Sequence, residues 1–325
     1  MKPLMRLRLI VAAMLIVTAM LNGSQPSHAQ TPSSTAQAML YRYYNAINLR
    51  DFATAYSLWV NPTQSYESFS SGFADTALVQ PYFGTYQINS FGLSATLRIP
   101  TVLLGYQIHG VVVSYFGCFT VAVDSFSRWR IMDADFRWLS NTQVPDVATI
   151  RNLLEIDCFH IPTTVTATYR PQLFTSAGQG ALLAYYKAIN YRDYATAYAM
   201  WLHPLPGPKP NGAPAQDYRP NYTDYVAGYG DTVYVNLYMG DYVETGASAG
   251  HSYLNGLLPA VLVGQHTDGS FVAYYGCYVM GFLTDPPGAY GIVSGRFLPL
   301  VKDAPLGQLI LQYLNFDCTT LNLQY

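Results

Sequence analysis

The residues of this 325-residue chain that could do chemistry are its four cysteines, its six histidines, two Arg-Asp pairs and a heavy load of 29 tyrosines. Cys118, Cys158, Cys277 and Cys318 carry no CxxC or HxxxH spacing, so covalent stapling is a better reading than metal binding, and no metal or cofactor is expected. Arg50–Asp51 and Arg192–Asp193 recur in the two halves; each Asp suits the N-cap of a helix, with the Arg a surface or linker-facing partner, rather than a catalytic pair. Asp133, with Asp135, is a weak candidate for a carboxylate base. The second half has Val293 and Gly295 in about that place, so at most one half could work that way. The histidines do not cluster: His28 falls in a leader, His160 in a linker, and His203 and His251 in loops. His109 and His266, both near a strand end, read as solvated turn residues. No HExxH, GxSxG or phosphate-loop pattern occurs, which removes the usual support for hydrolase and nucleotide chemistry. The Asn221–Tyr222–Thr223 sequon matters only in a eukaryotic secretory route. Tyrosine joins an apolar ring to a polar tip and suits small ligands, sugars or a partner surface. The candidate pocket residues are Tyr44, Trp59 and Tyr66, with Tyr186, Trp201 and Tyr222 in the second half. For the two tryptophans, plain core packing competes evenly.

Half of the chain is apolar, 11% is charged and the formal net charge is −2. Such a chain folds, and without a basic cluster it is no partner for nucleic acid. Lys2, Arg6 and Arg8 precede an apolar run from Leu9 to Leu21, and Ser27–His28–Ala29 offers small residues for cleavage, so residues 1–29 read as a secretory signal peptide. A retained anchor is the alternative, but the run falls short of the ~20 residues a membrane-spanning helix needs. The expected location is secreted or extracytoplasmic, with no membrane span once the leader is removed, and export permits disulfides.

The chain is written twice. Tyr43 to Trp59, YYNAINLRDFATAYSLW, matches Tyr185 to Trp201, YYKAINYRDYATAYAMW, at twelve of seventeen positions. YESFSSGFADT from Tyr66 matches YTDYVAGYGDT from Tyr222, YFGCF around Cys118 matches YYGCY around Cys277, and IDC at Cys158 matches FDC at Cys318. A repeat this long is a domain rather than a solenoid turn. The organisation expected is a domain over 30–160, a linker over 161–178 and a second domain over 179–325, with a Pro- and Gly-rich insertion after His203. Each copy then owns one cysteine pair, Cys118–Cys158 and Cys277–Cys318.

The elements that position these residues follow from periodicity. Leu40, Tyr43, Tyr44 and Ile47 form one helical stripe, entered at Ser34 or Thr35 and ending near Asn48. Asp51 opens a second helix through Trp59, stopped by Pro62, and a short aromatic third lies around Tyr66, Phe69 and Phe73. The period then shortens to two, predicting strands over Leu78–Asn89, Leu97–Ile108, Val111–Val123 and Trp129–Trp138, and a last helix covers Pro145 to Ile156. The second copy repeats the plan, with Gly281–Gly291 as a longer hairpin connection.

Three helices, the second opening on R-D-[FY]-A-x-A-[FY], followed by a long antiparallel sheet, resemble the NTF2-like superfamily of α+β cone folds, which includes SnoaL-like proteins and ketosteroid isomerases. The closest likeness is to exported, single or tandem NTF2-like domains with a G-C-[FY] strand. The resemblance implies two tandem cones, each with a pocket between its helices and the concave sheet, though fold alone does not decide the use of that pocket. The leading expectation is a non-catalytic exported binder of a small apolar or aromatic-compatible ligand, or of an envelope protein or glycan. The alternatives are a SnoaL-like isomerase, cyclase or dehydratase with one active domain, and a structural envelope spacer. An enzyme requires a carboxylate or His converging with another polar side chain in one pocket; a binder requires an aromatic cavity without them; a spacer requires no cavity.

Overall fold

The repeated sequence AIN-x-RD is a joint between two helices and a strand. In the first copy α1 (Pro32–Asn48) begins upstream of the expected cap and ends where Arg50 takes a left-handed backbone, φ 63°. The amide of Arg50 then bonds the carbonyl of Ile47, and that of Asp51 reaches back to Ala46, satisfying carbonyls that the helix end would orphan. The Asp51 side chain accepts from the amide of Thr54 and caps α2 (Phe52–Ser57), as its position in the sequence predicted. The Arg50 guanidinium is no idle surface group: it donates to the carbonyls of Phe73 and Thr76, holding the segment after α3 (Tyr66–Ser71) against the start of β1 (Thr76–Phe83). Asn48, buried, donates to the carbonyl of Val79 at 2.9 Å and accepts from its amide at 2.7 Å. An amide side chain thus stands in for a neighbouring strand at the sheet edge.

Most of this joint recurs in the second copy, built from α5 (Ala177–Asn190), α6 (Tyr194–Ala199), α7 (Tyr222–Ala227) and β6 (Thr232–Met239). Arg192 has φ 62°, Asp193 caps α6 through the amide of Thr196, and Asn190 exchanges bonds of 3.0 and 2.8 Å with Val235. Arg192 donates to the carbonyl of Tyr229 and to the hydroxyl of Tyr194.

The computed structural model describes residues 32–89, 96–109, 111–169, 177–202, 221–247, 253–284, 287–300 and 306–321. The leader expected over 1–29, His28, His203, His251, the insertion after His203 and residues 170–176 of the linker lie outside the described residues. The architecture is α+β with two antiparallel sheets. In the first sheet β1, β3 (Thr96–Gln107), β4 (Val112–Val123) and β5 (Trp129–Ser140) lie in that order, with β2 (Gln87–Asn89) also on β3, and α4 (Val147–Leu153) follows. The second runs β10 (Pro287–Pro299), β9 (Phe271–Thr284), β8 (Tyr253–His266), β6, with β7 (Val243–Ala247) also on β8, and α8 (Leu306–Tyr313) follows. The chain divides into two compact units: a first of Ser27–Phe174 with Val301–Gln312, and a second that includes Thr175–Leu300 and Tyr313–Tyr325.

Several expected boundaries move. The second helix stops at Ser57, and Trp59 lies beyond it in a parallel bridge to Ile131; Trp201 makes the same bridge to Ile292. The strand predicted over Leu78–Asn89 is interrupted at 84–86, where the amide of Gly84 bonds Pro100. Gly281–Gly291 is not a long connection, since Gly291 pairs with Gly281 within the ladder. The counterparts of Asp133 and Asp135 are Ser294 and Arg296 rather than Val293 and Gly295, because Asp133 faces Thr120 as Ser294 faces Val279. Both ladders carry the same bulge, between Thr120 and Val121 and between Ile292 and Ser294, but the pair Phe282 and Tyr290 is separated by two more residues than its counterpart Val123 and Trp129, so the sequence offset changes at this hairpin, and an error of one residue changes the face.

The motif G-C-[FY] places three demands on one strand. A Cβ at Gly117 would sit 2.0 Å from the Asp135 carbonyl oxygen, and one at Gly276 2.0 Å from that of Arg296, so the neighbouring strand approaches only over glycine. Cys118 bonds Cys158 and Cys277 bonds Cys318, at sequence separations of 40 and 41. Phe119 and Tyr278 turn to the opposite face and meet the helices, Phe119 lying against Tyr43 and Tyr44, and Tyr278 against Tyr186.

Asn190→Ala leaves the outward amide and carbonyl of Val235 unpaired, and we expect it to cost about 1–3 kcal/mol; urea unfolding monitored by circular dichroism measures it. Each disulfide should contribute about 4 kcal/mol through chain entropy. Thiol titration should find no free cysteine before reduction, and the unfolding midpoint should drop on adding dithiothreitol.

Candidate functional site

In the second unit a cavity of about 130 Å³, partly open to the surface, lies between the helices and the sheet. Its wall is aromatic: Tyr185 and Tyr186 from α5, Trp201 after α6, Tyr225 and Tyr229 in and after α7, and Tyr278 from β9. The hydroxyls of these tyrosines pair with one another. Tyr225 donates to Tyr185 at 3.1 Å, Tyr185 and Tyr229 share a bond of 3.0 Å, and Tyr186 and Tyr278 one of 2.5 Å. Burial raises the pKa of all five above the ordinary tyrosine value. They are therefore hydroxyls at any physiological pH, able to donate and accept but not to act as phenolates. The Trp201 indole N–H, on a residue only 7% exposed, points to the Tyr225 hydroxyl at the limit of hydrogen bonding, as the Trp59 indole does to Tyr43 in the first copy.

His266, the last residue of β8, completes the strand side of the wall, its side chain only 16% exposed and its Nδ1 3.1 Å from a carboxylate oxygen of Asp231. The solvated turn histidine expected at this point is instead a half-enclosed imidazole oriented by an acid. His109 is exposed in the turn after β3 and is not its counterpart. Position for position that is Gln107, since Gln107 faces Thr76 as His266 faces Thr232. Gln107 also repeats the contact, donating to Asp75 at 3.1 Å.

Of the six residues proposed from sequence, Tyr186 and Trp201 line this cavity. Tyr44 and Trp59 hold the matching places in the first unit, where Tyr44 is buried against Phe83 and Phe119, and Trp59 packs its edge on Tyr43. Tyr66 and Tyr222 do not join them. They are 40% and 44% exposed and pack edge-on against Tyr56 and Tyr198 on the outside of the helices. Tyr185, Tyr225, Tyr229, Tyr278 and His266 were missed. A signal existed, because three of these positions are tyrosine only in the second copy and Phe69, Phe73 and Phe119 in the first. The first copy therefore lacks three of the five hydroxyls and packs rings instead, with Phe73 stacked on Phe52 and Phe119 edge-on to Phe136.

Asp133 and Asp135 face away from the helices, beside the Cys118–Cys158 bridge, so neither supplies a base to a pocket between helices and sheet. Among the described residues no helix is long and apolar enough to cross a membrane. No family model matches the chain, and no curated protein matches its sequence.

Burial favours the neutral tyrosines, so this stabilisation is complete below the unfolded pKa near 10 and disappears as pH rises through the folded values. In an absorbance titration we expect the cavity tyrosines to ionise only together with loss of the circular dichroism signal.

Proposed function

We propose that this chain is an exported tandem NTF2-like protein whose second unit binds a small, ring-sized, mostly apolar compound carrying a hydrogen-bond acceptor. The observation that carries this reading is the tyrosine-walled cavity between helices and sheet, with the Trp201 indole on its wall. A cavity of about 130 Å³ is below the range of drug-sized sites, roughly 300–1,000 Å³, and close to the roughly 150 Å³ that holds benzene in an engineered apolar core. The ligand is therefore a single ring or a short chain. An acceptor atom would satisfy the indole N–H, which reaches the Tyr225 hydroxyl only at the limit of hydrogen bonding. What supports the NTF2-like assignment is the order of three helices and then an antiparallel sheet in both copies, together with a cavity between helices and sheet. Export is supported by the leader-like first 29 residues and by the two disulfides, which persist only in an oxidising compartment.

A second reading has its own observation. His266, oriented by Asp231, is a histidine converging with hydroxyls in one copy, which is the arrangement an acid–base enzyme requires. The first copy supplies the control residue, because Gln107 keeps the contact to the acid and cannot take up a proton.

Both readings are tested with p-cresol as probe and with mass spectrometry of small molecules released from the purified protein. Binding predicts that the Trp201 indole resonance, assigned with Trp201→Phe, shifts saturably on adding p-cresol. It also predicts that Tyr186→Phe weakens the effect by about five- to tenfold, the worth of one neutral hydrogen bond. An unmoved indole resonance together with no released compound refutes the binding site. If a released compound is turned over, His266→Gln should abolish turnover and leave binding in place; equal turnover by His266→Gln removes the acid–base reading.

A further inference from the structure

On the other face of the first sheet, beside the Cys118–Cys158 bridge, lies a groove of about 370 Å³. Its walls are polar: Arg98 from β3, Thr120 from β4, Asp133, Asp135 and Arg137 from β5, and Phe159 after the second cysteine. The second copy shows what this face is when it is only structural. The counterparts of Arg98, Thr120 and Arg137, in the same ladder positions, are Leu257, Val279 and Leu298. Leu257 and Val279 are buried in an apolar cluster with Cys277, Cys318 and Leu321, and Leu298 packs against it. The counterpart of Asp135, Arg296, reaches across to the Leu321 carbonyl. One scaffold position is thus sealed by hydrocarbon in one copy, and open and lined with charge in the other. The charged side chains of the first copy do not form core: Asp133 and Asp135 are exposed on β5, where a ligand can reach them.

We infer that this groove is a binding site for a neutral polyhydroxylated ligand, a saccharide. Two arginines face two aspartates, and His160, also on the lining, is paired with Asp157 at 2.7 Å, so the charged groups balance and select neither an anion nor a cation. Guanidinium groups only donate and carboxylates only accept, whereas a sugar hydroxyl does both and can bridge one to the other. Asp135 and Arg137 are already joined by two parallel bonds, which holds their outer edges in fixed positions. Phe159, 42% exposed, offers an aromatic platform for the C–H face of a sugar ring. Its orientation is held by the Arg98 guanidinium, 4.8 Å from the ring centroid, which also donates to the Cys158 carbonyl at 2.6 Å. The volume falls within the range of small-ligand sites, roughly 300–1,000 Å³. The site is independent of the cavity in the second unit.

The test is an NMR titration of the oxidised full chain with N-acetylglucosamine, its β-1,4-linked tetramer and cellotetraose at millimolar concentration, with heparin and spermidine as charged probes. The methyl resonances of Thr120 and of Ile161, which also lines the groove, should shift with a neutral probe and not with the charged ones. Equal affinity for monomer and tetramer marks a free-sugar site, and a tighter tetramer marks a glycan chain. Asp133→Ala and Phe159→Ala should each weaken binding about ten- to a hundredfold, the loss of a charged hydrogen bond or a ring contact. Thr120→Val and Arg137→Leu, which introduce side chains the scaffold already accepts in its second copy, should do the same without lowering the melting temperature. Trp201→Phe should leave saccharide binding unchanged. The inference is overturned if no neutral probe moves these resonances, if heparin or spermidine moves them equally, or if the four groove variants bind as the parent does.

Discussion

The fold of each copy depends on one side chain at the end of its first helix. Asn48 and Asn190 each exchange a pair of hydrogen bonds with the outward amide and carbonyl of one residue on an edge strand. That contact fixes where the helix lies on the sheet, and the residues around it follow from it. Arg must take the left-handed backbone to turn the chain within two residues, and Asp must cap the next helix at once. The Arg side chain then returns to the carbonyls beyond the third helix. Five of the twelve identical positions between the copies are this joint, and the joint brings the aromatic stripe of the helix over the inner face of the sheet.

With the joint held constant, the two copies have diverged on opposite faces of the same plan. In the second, phenylalanine positions become tyrosines, glutamine becomes His266, and the space between helices and sheet gains hydroxyls and an imidazole. In the first, that space is packed by rings, while the disulfide face carries arginines and aspartates where the second copy has leucine and valine. A duplicated domain allows this, because one copy can carry an open polar surface on a face that the other keeps as core.

Much of this was legible in the chain. The repeat, the cysteine pairing and the capping aspartates follow from local spacing and from the rule that each copy keeps its own pair. The helical stripes through Tyr43 and Tyr185 are equally local. The site was legible only in part. Tyr186 and Trp201 lie on the stripe that faces the sheet, whereas Tyr66 and Tyr222, one turn before the buried Phe69 and Tyr225, project outward from helices of six residues. So short a helix gives too few turns for its periodicity to tell an inner ring from an outer one. His266 was misplaced for a different reason: the eye matches His109 to it, while the ladder matches Gln107.

The chain by itself determined the duplication, the aspartate caps and the covalent framework, because these are set by neighbours in sequence and by the backbone's demand for hydrogen bonds. Which residues share a cavity, and which face of the sheet Asp133 and Arg137 occupy, only the tertiary structure decided. Strand register and bulges govern these placements. A displacement of one residue in a ladder turns every following side chain to the other face, and no local signal in the sequence records it.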